Sequence, residues 1–424
     1  MKNLNLFLML IGAIFLNSCS NEVAETITYK INEPIFMNLD EFRASVRVLP
    51  QPTEIKEQGK IAFYQGFMYV SEPGKGIHII DNRKPERPRN ISFIELLGNV
   101  DMAIKGNTLY ADSYIDMVWF DITSPADPKL QGRIENVFPE TLPIPENQYL
   151  IDDLKDMDKS KEIVIGWKVT ERTEQYVKNR DPWWNWGWSK DVISSPNSNF
   201  GNIGGGGIGL TGSMSRFAIY KTYLYTVKNN YLGIFDIERP APKKAGDFYV
   251  GWDVETIFSY NDNMFMGTPT GMLIYSVTDP LKPAKMSSLQ HVSGCDPVVV
   301  ENDIAYVTIH SGNNCGQNNN QLIIIDVKDV INPKEIITYP MTNPKGLAID
   351  NGILFVCDEG LKIYNAKNPQ TLMENIIDHK KDMEGYDVIA FNNLLMMIAK
   401  DGIYQYDYSD LKNIRLLSKI PIGN

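Results

Sequence analysis

The chain carries four histidines, His78, His291, His310 and His379, and four cysteines, Cys19, Cys295, Cys315 and Cys357. These are the side chains that would ligate a transition metal or serve as nucleophile and base. No histidine pair has the spacing of ligands on one helix face or across one hairpin. His78 lies inside an apolar run and His379 in a charged stretch, where each reads as a structural residue. His291 with Cys295 and His310 with Cys315 imitate half-sites for a metal. A chain reversal at Asn302-Asp303 brings Cys295 and Cys315 toward one end, so a disulfide stapling that loop is one reading and two separate thiols the other. A disulfide would remove both sulfur ligands. Cys357, in Leu354-Phe355-Val356-Cys357, reads as a small buried hydrophobe.

Other local patterns fail on context. Gly207-Ile208-Gly209-Leu210-Thr211-Gly212 matches the dinucleotide fingerprint in form, but it leads into a strand-like segment and not a helix whose N-terminus would hold a pyrophosphate. Asp156-x-Asp158-x-Ser160 begins like a calcium loop and lacks its later glycine and glutamate. No serine elbow or zinc-protease helix is present. Asp101, Asp253, Asp296 and Asp387 recur near strand starts. They would either line a channel or bond to their own backbone in turns, and the second reading is favoured. No catalytic residue, cofactor or metal is therefore assigned.

One loop is unusual. Trp183, Trp184, Trp186 and Trp188 fall within six residues of a polar segment bounded by Pro182 and Gly187. That is a large apolar payload for a surface segment. It would stack on sugars, anchor a protein partner, or fold back as a plug over a neighbouring opening.

The N-terminus carries the most specific signal. Lys2 precedes an apolar run over residues 4–16, too short to cross a bilayer comfortably, which ends in Leu16-Asn17-Ser18-Cys19. This resembles the bacterial lipobox, which implies a signal peptide over 1–18 and acyl chains on Cys19. Several chains hold a protein on a membrane where one binds only marginally. Residues 20 to about 35 read as a polar tether. Net charge is −11, so the chain offers no basic field for nucleic acid.

The main structural signal is a repeat. Ile77-His78-Ile79-Ile80-Asp81 precedes Pro85 and Pro88, and Met117-Val118-Trp119-Phe120-Asp121 precedes Pro125 and Pro128. Related segments end at Asp236, Ser276, Asp326, Asn365 and Asp407. The interval is 40 residues from 81 to 121 and from 236 to 276, 39 from 326 to 365 and 42 from 365 to 407. Upstream of most copies two apolar runs flank an Asn/Asp/Gly turn, as in Ala348-Ile349-Asp350-Asn351-Gly352-Ile353-Leu354-Phe355, which predicts a hairpin. Prolines cannot donate to a ladder, so the Pro-x-x-Pro segment must link a third strand to a fourth. Four short strands per 40 residues make a propeller blade.

The Ile-Ile-Asp strand followed by Pro-x-x-Pro resembles the LVIVD repeat family of β-propeller proteins, and Gly74 to Asp81 resembles the first repeat of its exported lipoprotein members. The resemblance covers 54–424 apart from an insertion at about 138–212, and brings no activity with it. Seven copies imply seven blades, an all-β propeller after an N-terminal segment over 19–53. Ring closure needs no borrowed strand, and residues 42–48 are expected to pack outside.

The sequence therefore predicts a lipid-anchored envelope protein, in the outer membrane, whose propeller binds a protein partner and catalyses nothing. Carbohydrate binding through the tryptophan loop, and an enzyme with a central-channel site, are the alternatives.

Overall fold

The computed structural model describes residues 24–57, 59–146, 148–155, 157–177, 199–200, 210–211, 213–228, 230–251, 254–290, 297–310 and 320–423. Cys19, Cys295, Cys315 and the four loop tryptophans lie outside these residues.

Seven antiparallel blades follow one another along the described chain, at 61–95, 102–134, 217–249, 256–290, 298–340, 347–380 and 385–421. The seven-bladed all-β propeller expected from the repeat is the fold observed. Each blade begins with a hairpin whose turn uses left-handed backbone, as at Asn302 and Asp303 (φ 51° and 62°) or Asn392 and Asn393 (φ 48° and 64°). Asn, Asp and Gly tolerate that region, which explains their recurrence in the sequence.

The repeated aspartate also has a local cause. Asp81, Asp121, Asp236, Ser276, Asp326, Asn365 and Asp407 each end the third strand, opposite the first residue of the second. Each side-chain oxygen accepts the N–H two residues on, at 2.8 Å in Asp121, 2.9 Å in Asp326 and 3.0 Å in Asp407. The side chain thus satisfies a donor where the backbone leaves the ladder, and in the first six blades it starts a proline-bearing turn, whereas residues 408–414 after Asp407 contain no proline. Every fourth strand then carries a register shift against the third, for example between Ile324 and Ile325 and between Gln405 and Tyr406.

Blades bury apolar side chains mainly against their neighbours, so the core is a ring of interfaces. The last interface packs Ile61, Met68 and Ile80 of blade 1 against Ile389, Met396 and Ile403 of blade 7. Blades 1 and 7 each supply four strands of their own, so closure borrows none. The seam is locked by two buried amides: Asn82 Nδ2 donates to Gln405 Oε1 and Gln405 Nε2 to Asn82 Oδ1, both at 2.8 Å. Truncating either to Ala strands the other amide and is expected to cost about 1–3 kcal/mol in urea unfolding. The double variant should cost clearly less than the sum of the singles. Additive losses would show that the two amides do not act as a pair.

The N-terminal segment departs from the expected tether. Ala24–Asn38 is a strand (β1) paired antiparallel along its whole length with Glu162–Val177 of the insertion, forming a long ribbon. A helix, α1 (Leu39–Ala44), capped by the Asn38 side chain, follows, and Arg47–Leu49 (β2) pairs with the outermost strand of blade 1, outside as expected. The ribbon base is fixed to blade 2. Phe42 is fully buried beside Tyr114, whose hydroxyl donates to Ile165 O at 2.9 Å, and Arg43 and Arg133 both bind the buried Asp116 at 3.0 Å. Among the described residues, no helix is long and apolar enough to cross a membrane.

Candidate functional site

A propeller's innermost strands enclose a channel, and the residues opening those strands form a ring at its mouth. Hairpin register places Lys60, Asp101, Arg216, Thr256, Pro297, Gly346 and Asp387 at the equivalent position of blades 1 to 7. Two of the four acids flagged in the sequence, Asp101 and Asp387, therefore stand in this ring, and each also accepts the backbone N–H of the next residue. Asp253 and Asp296 lie outside the described residues.

The channel is occupied by the insertion itself. Leu210 and Thr211 pair with Phe63 and Ala62, adding a strand to the inner edge of blade 1. Residues 199–200 pair with 213–214, and these pieces also pack against the innermost strands of blades 4, 5 and 7. Leu347 N of blade 6 donates to Ser213 Oγ at 3.0 Å, and Ile257 N of blade 4 to Ser215 O at 2.9 Å. Only a segment inside the ring can touch blades on opposite sides of it. Leu210-Thr211, at the end of the glycine-dense run, thus lies on a sheet edge and not at a strand-to-helix phosphate turn, and with 199–200 and 213–214 forms a channel plug; Gly204, Gly205, Gly206, Gly207, Gly209 and Gly212 lie outside the described residues.

The plug consumes the polar groups of the mouth. The Lys60 ammonium pairs with Asp101 Oδ2, both side chains almost fully buried. Asp101 also accepts Arg216 N at 2.6 Å, Ser215 Oγ at 3.2 Å and Met102 N at 2.8 Å. Burial pulls the Lys60 ammonium below its ordinary range, against the opposing pull of Asp101. Behind this pair, Asp112 Oδ1 accepts Val100 N, Asp101 N and Asn99 Nδ2 at 2.7, 2.9 and 3.0 Å. Burial, reinforced by the Asp101 charge, pushes its carboxyl up to about 6.

Asp387 differs. Its Oδ1 accepts Val388 N at 2.8 Å, while among the described residues the buried Oδ2 has no partner of hydrogen-bond geometry. Burial holds its carboxyl well above the usual range, with the Val388 N–H, the Lys60 charge and the Ser213 hydroxyl pulling only partly back. Gly346 makes room for it, since a Cβ there would lie 2.3 Å from Asp387 Oδ1. Neither acid is open to solvent, so the mouth is built to hold the plug.

The other chemistry-bearing side chains are structural where they are described. His78 is fully buried, with Nε2 2.9 Å from Glu72 Oε2 and its ring 4.5 Å from Phe93. His379 Nε2 bonds Glu359 O at 3.0 Å. Cys357 is buried, and burial raises its thiol well above the ordinary value. The segments carrying Cys295 and Cys315 leave blade 5 from one end, where Thr308 N bonds Pro297 O at 3.2 Å. Among the described residues, no cluster of His, Cys, Asp and Glu could hold a metal ion.

Sequence reasoning missed Lys60, Asp112 and the Arg43–Asp116–Arg133 cluster. Lys60 and Asp101 were within reach, since both occupy one position of the repeat.

With the blades and the plug in place, comparison with known proteins becomes informative. Residues 211–242 match the LVIVD repeat. That LVIVD match covers the three inner strands of blade 3 and its proline turn, together with the plug residues that precede them. A protein from Lactobacillus plantarum of known structure superposes with a TM-score of 0.53, covering 87% of this chain and 97% of its own at 10% identity. BamB from Moraxella catarrhalis gives 0.48, covering 90% of this chain and 99% of its own, also at 10% identity. Kluyveromyces lactis Hsv2 gives 0.46 over 87% and 100%, again at 10%. At such identities the first of these likenesses supports the propeller fold and nothing further. No curated protein matches the chain.

Proposed function

We propose that this protein is a non-catalytic binding scaffold of the bacterial envelope, held at the outer membrane by acyl chains on Cys19 and engaging a protein partner through one propeller face. The observation that carries this reading is the filled channel. In a propeller the channel mouth is the natural place for a small-molecule site, and here Asp101 is taken up by Lys60, Arg216 N and Ser215 Oγ while the insertion pairs with the inner edge of blade 1. Recognition is then left to the surface.

One face is suited to it. The other face carries the short hairpin turns and the turns after the third strands. On the face where blades are connected lie the ribbon base beside Tyr114 and the described chain ends at 297 and 310 of blade 5. Segments of irregular length on a rigid scaffold are where binding residues concentrate. Trp183, Trp184, Trp186 and Trp188 belong to that insertion and are proposed as partner anchors, with Cys295 and Cys315 as a disulfide bracing the neighbouring loop.

The anchoring is tested by Cys19→Ala. Loss of the acylation site should move the protein into the soluble fraction or block its maturation. Retention of the variant on salt-washed membranes at normal abundance would refute the anchor.

A further inference from the structure

The ribbon bears a second kind of site, away from the channel and independent of the partner reading. A groove of about 580 Å³ lies between the Trp167 ring and the loop carrying Ile144, Pro145, Glu146 and Gln148. Its size is in the range of small-ligand sites, roughly 300–1,000 Å³.

The walls are held in place by side chains that do little else. Asn32 is fully buried, and spends its amide on the loop backbone: Nδ2 donates to Glu146 O at 2.9 Å and Tyr149 O at 3.0 Å, and Oδ1 accepts Glu146 N at 3.2 Å. Across the groove, Trp167 Nε1 donates to Pro143 O at 2.8 Å, which fixes the plane of the indole. A solvent-facing loop is thus clamped at three points, leaving the half-buried indole as one wall. The Glu146 carboxylate and Gln148 amide remain exposed, with side chains not engaged by the clamp. Pre-organisation of this kind lowers the entropic cost of binding.

The groove chemistry selects a ligand class. An aromatic wall offers a flat face for the apolar C–H side of a pyranose ring, while carboxylate and amide groups bond vicinal hydroxyls. Among the described residues no cationic side chain lines the groove, which disfavours phosphorylated or acidic ligands. We infer that the Trp167 groove is a binding site for a neutral oligosaccharide, with Trp167 as the stacking platform and Glu146 and Gln148 as hydroxyl partners.

The test uses the full-length protein in a detergent without a sugar headgroup, with chitotriose and maltotriose as probes. Saturation-transfer NMR should show ring protons of at least one sugar in contact with an aromatic side chain, and calorimetry should give its affinity. Trp167→Ala is expected to weaken binding about tenfold or more. Because that change also loosens the loop, Glu146→Gln is the second variant. Its clamp uses only backbone atoms, so the loop stays placed while affinity falls several-fold. Removal of residues 181–190 should leave sugar binding unchanged. The proposal is overturned if neither sugar binds at millimolar concentration, if both point variants bind as the parent does, or if binding follows residues 181–190 instead.

Discussion

Replacing Asp101 by Ala is expected to destabilise the protein by about 3–5 kcal/mol, the range for removing one partner of a buried ion pair. The loss has several sources at one atom pair. The Lys60 ammonium is left without its counter-charge at a site where it is almost fully buried. Arg216 N of blade 3 loses its acceptor in the same step, and Ser215 Oγ keeps only Phe217 O. Unfolding in guanidinium should therefore shift to a clearly lower midpoint, and proteolysis should reach the plug before the blades. The exposed Asp127 is the control: it pairs with Lys129 at the surface, and Asp127→Ala should cost well under 1 kcal/mol. Equal effects of the two substitutions would mean that the mouth of the channel is not the tight junction described.

Asp112→Asn should act in the opposite direction. The folded carboxyl is raised from 3.8 to about 6, so the folded state holds its proton more tightly than the unfolded chain does. Below pH 3.8 the group is protonated in both states and brings no penalty. As pH rises from 3.8 to 6 the unfolded chain loses its proton first, and stability from this group falls. Above pH 6 the folded state carries the full cost of a buried charge beside Asp101, about 3 kcal/mol at 1.36 kcal/mol per unit. Asparagine retains an oxygen for the three N–H donors that Asp112 Oδ1 accepts, and removes the charge. The variant should be more stable than the parent by up to about 3 kcal/mol at pH 7.5, and by well under 1 kcal/mol at pH 4. Urea midpoints at the two pH values measure this. A difference that does not change with pH would assign the effect to something other than ionisation.

Blade number and blade architecture were legible because their causes are local. The terminal aspartate bonds a donor two residues away, the hairpin turns need left-handed backbone, and the prolines follow within eight residues. These leave marks inside a 40-residue window. The ribbon left only a weak one. Ile27, Tyr29 and Ile31 alternate with Thr26, Thr28 and Lys30, but Ala24–Asn38 pairs with a strand more than a hundred residues downstream, and a short alternation does not name so distant a partner. A segment of that composition reads as a tether until its partner is seen. The plug was not legible, because the pairing of 210–211 with blade 1 and of 199–200 with 213–214 depends on the ring being closed around them. Asp101 was singled out for position alone, and its partners Lys60 and Ser215-Arg216 come from two distant stretches of chain.

The central claim is that the channel is sealed by the protein itself and that recognition occurs on the connecting face. The direct measurement is co-purification from detergent-solubilised membranes with three forms of the full-length protein: the parent, one lacking residues 181–190, and Asp387→Asn. Asparagine keeps the size of Asp387 and the oxygen that accepts Val388 N, so this variant should fold and keep every partner that the parent keeps. The form lacking 181–190 should keep its stability, since the blade cores come from their own strands, and should lose its partner. Loss of partners from the folded Asp387→Asn protein, with the shortened form binding normally, would contradict the account and return the function to the channel.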